Sequence, residues 1–134
     1  MSPHEILHPK GWTPAKGYAN GISARGRMIF TGGLVGWNAE GAFETDDFAG
    51  QVAQVLRNVV AVLAEGGARP EHLVRLTWYV TDKRDYLASL AEIGRAYREI
   101  IGRHYPAMAL VQVVALVEDR AKVEIEATAV VPEE

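Results

Sequence analysis

The sequence predicts an α+β domain of about six strands and two helices that assembles with further copies of itself. Two segments carry apolar side chains at helical spacing, and several shorter ones alternate apolar and polar residues as half-buried strands do. Residues 107–117 contain Gln112 as their single polar residue, a pattern typical of a strand buried on both faces. With 134 residues, of which 49% are apolar, the chain is expected to form one globular domain over residues 1–134.

The first half of the chain predicts a hairpin and then a helix. Residues 18–24 and 27–31 are two strand-like runs joined at Arg25-Gly26, which predicts an early β-hairpin. A helix is predicted next because an aspartate precedes, and two glycines follow, a series of apolar residues at helical spacing. That series is Phe48, Val52, Val55, Val59 and Val62. The polar Gln51 lies off this apolar stripe.

The second half predicts strand, helix and two further strands. Residues 74–80 alternate as a half-buried strand does, and residues 87–101 return to helical spacing until Gly102 and Pro106 end the helix. Helices can cover one face of the strand predicted at residues 107–117. Because a chain this short has no element left for the other face, we expect a partner subunit to cover it.

The last predicted strand, residues 122–131, has one apolar and one polar face. Glu124 and Glu126 share the polar face of this otherwise Val-, Ile- and Ala-rich strand. A carboxylate there is costly unless it is paired or hydrated, so the pair indicates either a cleft or, equally, an interface salt bridge or a solvated edge.

Composition and charge exclude several classes of protein. Acidic residues outnumber basic ones by 17 to 14, so there is no broad cationic face for nucleic acid. Without cysteine there is no disulfide, thiolate metal site or cysteine nucleophile. Neither a signal peptide nor an apolar run of about 18 residues is present, so we expect a cytoplasmic protein that does not enter a membrane.

Two local motifs are given structural rather than catalytic interpretations. The segment from His4 to His8 matches the H-E-x-x-H pattern of zinc hydrolases, but Pro9 disfavours the helix that the motif needs, and no metal site is predicted. The glycines of residues 32–36 are expected to end a strand, with the alternative that their amides line a small-molecule pocket. His72 and His104 are expected on solvated loops.

Several of these residues together resemble the RidA/YjgF family, also called the L-PSP endoribonuclease-like family. The similarity extends from about Tyr18 to Val130. It is carried by Gly17-Tyr18, Ile29-Phe30-Thr31-Gly32-Gly33, Phe48 with Gln51, Gln54 and Asn58, Gly66, Thr77 with Tyr79 and Asp82, Tyr105-Pro106-Ala107, and Val123-Glu124-Ile125-Glu126-Ala127.

The resemblance implies a fold, an assembly and an activity. The fold would be chorismate-mutase-like, a six-stranded mixed sheet with two helices on one face, forming a homotrimer around an inner barrel. Small-molecule ligands would bind in clefts between subunits. Members with deaminase activity hydrolyse reactive imines and enamines to 2-oxo acids and ammonia without metal or organic cofactor.

The resemblance also implies the residues of the site. Glu126 matches the glutamate that holds the attacking water, Tyr18 the cleft tyrosine, and Thr31-Gly32 the ligand-contacting segment. Met108 stands where the family places an arginine on the substrate carboxylate. With Leu110 it would make the pocket apolar, so we expect a different ligand or a cation from elsewhere, with Arg103 and Arg120 as candidates.

Three functions follow in order of preference. The first is a cofactor-independent hydrolase acting on C=N bonds, with Glu126 catalytic and Tyr18, Thr31, Gly32, Met108 and Leu110 binding the substrate. The alternative is a non-catalytic metabolite-binding or regulatory trimer that uses the same cleft. The third, ribonuclease activity, is disfavoured because the chain is acidic and has no clustered basic residues.

Overall fold

The computed structural model describes residues 3–133, and within them it contains seven β-strands and three α-helices. The strands are β1 (Glu5–Leu7), β2 (Gly21–Ser23), β3 (Arg27–Phe30), β4 (Leu34–Val35), β5 (Leu73–Val80), β6 (Ala107–Gln112) and β7 (Val123–Val131). The helices are α1 (Phe48–Glu65), α2 (Lys83–Ala88) and α3 (Leu90–Ile100). The predicted α+β class, with a mixed sheet, is confirmed.

The main sheet has the strand order β3-β7-β5-β6, with β4 also paired to β7. All of its pairs are antiparallel except β5 with β6, which run parallel. A parallel pair needs a long crossover, and α2 and α3 provide it. Strands β1 and β2 form a separate antiparallel pair.

The predicted early hairpin is wrong. Strand β2 pairs with β1, whereas β3 pairs with β7, so that Met28 lies opposite Val130. Gly26 separates β2 from β3 with a φ of 147°, and a Cβ at this position would overlap the Val131 carbonyl. The residue pattern and the turn glycine predicted the two strands, but these strands do not pair with each other.

The second helical segment consists of two helices instead of one. Helix α2 begins earlier than predicted, because the Asp82 carboxylate caps it by accepting a hydrogen bond from the Arg84 amide at 2.9 Å. The backbone leaves helical geometry at Ser89, where ψ is 16°, and α3 follows.

The strand predicted over residues 107–117 is shorter than expected. Strand β6 ends at Gln112 because its parallel neighbour β5 ends at Val80, and the Val113 amide makes the last bond to the Val80 carbonyl. Beyond it Val114 and Val117 are fully exposed in the single chain. Burial of both faces over the whole segment is therefore not found within one protomer.

The hydrophobic core lies between the main sheet and helices α1 and α3. Its fully buried side chains include Leu56 and Leu63 of α1, Leu76 of β5 and Ile125 of β7. The predicted helix at residues 48–65 is confirmed, with the Asp47 carboxylate accepting a hydrogen bond from the Gly50 amide at 2.9 Å. None of the helices in residues 3–133 is long and apolar enough to cross a membrane.

The face of the sheet opposite the helices is uncovered in the single chain and is called the open face below. Cross-strand pairing places Met28 and Phe30 of β3 on the same side as the polar residues of β7. Met28 is 57% exposed and Phe30 is 64% exposed. The open face thus combines exposed apolar side chains with the two carboxylates singled out in the sequence.

Candidate functional site

Glu126 lies on the open face in the middle of strand β7. It is directly opposite Thr77 of β5, and Tyr79 lies two residues further along the same face. The Tyr79 hydroxyl donates a 2.6 Å hydrogen bond to Glu126 Oε1, which raises the pKa of the Tyr79 phenol because the bond favours its protonated form. Oε1 is thereby fixed, while Oε2 has no partner among residues 3–133.

A pocket of about 220 Å³ surrounds this carboxylate and is called the Glu126 pocket below. Its lining combines a carboxylate, a guanidinium and hydroxyl groups with one aromatic ring. The residues are Phe30, Thr31, Arg75, Thr77, Glu126, Ala127 and Thr128. It can therefore accept a polar or charged molecule of a few heavy atoms.

Thr31, which follows β3, is hydrogen-bonded to Ala127, the residue after Glu126. Its amide donates to the Ala127 carbonyl at 2.9 Å, and its hydroxyl accepts from the Ala127 amide at 2.9 Å. The same hydroxyl donates to the Gly32 carbonyl at 2.7 Å. Because the donor of Thr31 is already used, its side chain holds the pocket in shape and has only a lone pair left for a ligand.

The glycines that follow Thr31 have different environments. A Cβ at Gly33 would overlap the Glu124 carboxylate, so the glycine lets this flexible side chain lie against the backbone. At Gly32 a Cβ would meet nothing within 4 Å, and its amide donates no hydrogen bond within residues 3–133. Gly32 thus has a free N–H group one residue after Thr31, which lines the Glu126 pocket.

A second pocket, of about 390 Å³, lies on the helix side of the sheet and is called the Met108 pocket below. Met108 and Leu110 of β6 form part of its wall, and Tyr18 and Lys16 lie in the loop before β2. The remaining lining is mostly aromatic or aliphatic and comes from β5, the crossover helices and the loops before β2 and β6. These residues are Gly17, Trp78, Tyr86, Leu90, Ile93, Gly94, Tyr97 and Tyr105.

Aromatic contacts hold one wall of the Met108 pocket. Tyr97 and Tyr105 stack with ring centroids 5.2 Å apart, and the Tyr97 hydroxyl donates to the His104 carbonyl at 2.6 Å. Burial raises the pKa of the Tyr97 phenol, so the ring stays neutral. The Trp78 indole Nε1 is the only buried side-chain nitrogen or oxygen without a partner among residues 3–133.

The predicted site residues fall into two groups on opposite sides of one sheet. Met108 pairs with Leu76, whereas Glu126 pairs with Thr77. Successive residues of a strand point to opposite faces, so these two side chains point away from each other. The structure brings Tyr18, Met108 and Leu110 together, and separately Thr31, Gly32 and Glu126, but no single chain unites the two groups.

The two candidate replacement cations both lie elsewhere. Arg120 is paired with Asp46 at 2.9 Å and lies over the Phe43 ring at 5.6 Å. Arg103 lines a third pocket, which shares Tyr18 and Tyr105 with the Met108 pocket. The cation that shares a pocket with Glu126 is Arg75, which the sequence analysis missed. The alternation of side chains between the two faces of β5 could have identified Arg75, since residues 75, 77 and 79 occupy one face.

The histidines are not where the sequence placed them. His72 and His104 were expected on solvated loops, but they are only 8% and 6% exposed. His104 Nε2 donates to the Leu73 carbonyl at 2.7 Å, and His72 Nδ1 accepts from the Arg69 amide at 2.9 Å. Burial lowers the pKa of both imidazoles. Their backbone bonds compensate for that burial, which no sequence pattern signals.

The H-E-x-x-H segment has no helical geometry. Residues Glu5–Leu7 form strand β1, so His4 and His8 do not lie one helical turn apart. His4 Nε2 instead bonds the Val130 carbonyl at 3.0 Å. Among residues 3–133 no group of three or more metal-ligating side chains converges on one point.

Comparison with known proteins gives the family. The sequence model of the family described as Endoribonuclease L-PSP matches residues 10–131. A RutC family protein of Aquifex aeolicus is 35% identical over 94% of this chain and 98% of its own length. The 2-iminobutanoate/2-iminopropanoate deaminase of Escherichia coli K12 is 33% identical over 84% and 86%.

Solved structures agree with these matches. The crystal structure of YyfB, a conserved Rid family protein of Yersinia pestis, superimposes with a TM-score of 0.85 at 32% identity, covering 96% of this chain and 98% of that one. The sheet order, the crossover helices and the sequence matches therefore have one explanation, which is that the chain belongs to the RidA/YjgF family.

Proposed function

We propose that this protein hydrolyses the C=N bond of a small imine, or of the enamine that tautomerises to it, giving a carbonyl compound and ammonia. The observation that supports it most directly is the Glu126 carboxylate, with Oε1 fixed by Tyr79 at 2.6 Å and Oε2 free at a pocket. A carboxylate held in this way can orient a water molecule and accept its proton. The deaminase of Escherichia coli named above is 33% identical to this chain.

The reaction needs only water and one proton-transferring group. Water bound to Glu126 Oε2 attacks the imine carbon, and its proton passes to the carboxylate while the C=N π electrons move to nitrogen. The carboxylate returns this proton to nitrogen, which gives a neutral carbinolamine. The carboxylate then accepts the hydroxyl proton and transfers it to the same nitrogen as the C–N bond breaks and the C=O bond forms, so that ammonia leaves. Imine and water thus become a carbonyl compound and ammonia. The reaction needs no oxidant, reductant or metal ion.

We propose further that the active unit is a homotrimer with its sites between subunits. The single chain leaves Met28 and Phe30 exposed on the open face, and Val114 and Val117 exposed after β6. Burying such residues against a second copy is favourable by about 25 cal/mol per Å². An interface of this kind would also let the Met108 pocket of one subunit approach the Glu126 pocket of the next.

The Met108 pocket would then accept the substrate side chain. Its volume of about 390 Å³ and its aromatic lining suit a bulky apolar group better than the methyl or ethyl group of the smallest imino acids. This supports the expectation that the ligand differs from that of relatives with an arginine at this place.

A cytoplasmic location remains a prediction of the sequence.

Hydrolysis can be tested with imines generated in place by an amino-acid oxidase. Product 2-oxo acid and ammonia are measured above the spontaneous rate for imines of alanine, leucine and phenylalanine, with the wild type and Glu126→Gln. We expect acceleration by the wild type, loss of about 10²- to 10⁴-fold in the variant, and the largest effect with the bulky side chains. Equal rates for the two proteins would refute catalysis by Glu126.

One observation favours the alternative, a metabolite-binding trimer without turnover. The Met108 pocket is enclosed by residues of one chain and contains no carboxylate, so it can hold a ligand without Glu126. A ligand that raises the melting temperature equally in the wild type and Glu126→Gln, and is recovered unchanged, would establish this function instead.

A further inference from the structure

We propose that Arg75 binds the carboxylate of the substrate, in place of the guanidinium that relatives carry at the position of Met108. The inference rests on the proposed function and specifies its substrate class as an anionic 2-imino acid or its enamine. It assigns the anion-binding group to the same chain and the same sheet face as Glu126.

Arg75 shares the Glu126 pocket but is not paired with its carboxylate. It lines this pocket together with Glu126 and Thr31, and its side chain is exposed. No hydrogen bond or ion pair joins its guanidinium to any of residues 3–133. A free guanidinium offers five donors in a planar fork that matches a carboxylate.

The register of β5 and β7 makes the cation and the carboxylate diagonal neighbours on one face of the sheet. Glu126 is opposite Thr77, so Arg75 and Tyr79 flank it diagonally on either side. The Tyr79 hydroxyl holds Glu126 Oε1 at 2.6 Å, on the side away from Arg75. Diagonal neighbours have Cα atoms about 7–8 Å apart, a distance that long side chains can span. No ion pair joins the Arg75 guanidinium to Glu126 within residues 3–133, so a small molecule can bind between the two charged groups.

A 2-imino acid fits this arrangement in one orientation. With its carboxylate on Arg75, its imine carbon lies one bond further toward Glu126, where a water on Oε2 can attack it. The amide of Gly32, the residue after Thr31 of this pocket, donates no hydrogen bond within residues 3–133 and can donate to the anionic substrate. An uncharged imine would make none of these ionic bonds.

The other cations near the two pockets are less suitable. Arg120 is already paired with Asp46 at 2.9 Å. Lys16 lines the Met108 pocket, on the opposite side of the sheet from Glu126. Arg103 lines a third pocket. Arg75 is therefore the basic side chain that meets both requirements, proximity to Glu126 and a free guanidinium.

The test is binding of 4-methyl-2-oxopentanoate, the 2-oxo acid formed from the imine of leucine, and of its uncharged amide, measured by calorimetry. Arg75→Met removes the charge, Arg75→Lys keeps the charge but loses the fork, and Arg95→Met is the matched control on an exposed face of α3. We expect Arg75→Met to weaken binding of 4-methyl-2-oxopentanoate by about 10- to 150-fold, and Arg75→Lys to weaken it less. Binding of the amide, and all binding by Arg95→Met, should stay at the wild-type level.

Further outcomes separate this inference from the proposed function. Undetectable binding of 4-methyl-2-oxopentanoate to the wild type, unchanged binding in Arg75→Met, or a loss in Arg103→Met instead would overturn the role of Arg75. Glu126→Gln should lose turnover and still bind 4-methyl-2-oxopentanoate. If Arg75 governs binding but neither imine nor enamine is hydrolysed by the wild type, the anion site stands and the deaminase proposal fails.

Discussion

Gln51 is predicted to be a main determinant of stability, although it is polar and lies on a helix. The residue is fully buried. Its side-chain nitrogen donates to the Thr45 carbonyl at 3.1 Å and to the Arg120 carbonyl at 3.0 Å. Its side-chain oxygen accepts from the Lys122 amide at 2.8 Å. One side-chain amide thus connects α1 to the segment before it and to the segment that leads into β7.

The substitution Gln51→Leu keeps the size of the side chain and removes all three hydrogen bonds. A buried backbone group left without a partner costs about 1–3 kcal/mol. Because the segments that carry Arg120 and Lys122 are partly exposed, water can replace some of the lost bonds. We therefore expect the free energy of unfolding to fall by about 2–4 kcal/mol in total.

The measurement is chemical denaturation at a fixed protein concentration, followed by circular dichroism. Gln54→Leu is the matched control, since it changes the same residue type one turn of α1 away, where the side chain bonds the Asn58 side chain at 2.9 Å. The control should lose less than about 1.5 kcal/mol. A Gln51→Leu variant as stable as the wild type, or equal losses in both variants, would show that these bonds do not stabilise the fold.

Three further predictions concern other parts of the molecule. Burial lowers the pKa of His104 below its ordinary 6.5, so on acidification the unfolded chain binds a proton at this residue before the folded chain does. The free energy of unfolding should therefore fall as pH drops below 6.5, and it should fall less steeply in His104→Gln. Equal slopes for the two proteins in a pH series would contradict this. Tyr79→Phe releases Glu126 Oε1 and should lower kcat by about 10- to 100-fold with little change in KM; steady-state kinetics that show the reverse split would exclude a positioning role. Gly36→Ala places a Cβ 2.9 Å from the Gln51 carbonyl, so it should destabilise the protein by about 1–3 kcal/mol, and an unchanged denaturation midpoint would refute this steric argument.

The family and most secondary structure were predictable because they depend on local patterns. Apolar spacing located α1, and the alternation at the end of the chain located β7 with Glu124 and Glu126 on one face. The motifs from Tyr18 to Val130 identified the family that the comparisons show. These features depend on residue order along the chain, which the sequence contains directly.

Other features depended on contacts between distant segments, so only the tertiary structure decided them. The pairing of β2 with β1 and the end of β6 at Gln112 follow from which strands are available as neighbours. Burial of His104 depends on a carbonyl 31 residues away. No local pattern specifies such partners.

The site shows the same division. The sequence by itself determined which residue types are present, including Glu126 and the uncharged Met108. Only the sheet register decided that these two point to opposite faces, and that Arg75 and Tyr79 flank the carboxylate. The physical reason is that a strand fixes the direction of each side chain relative to its own neighbours, whereas pairing with another strand fixes what that side chain meets.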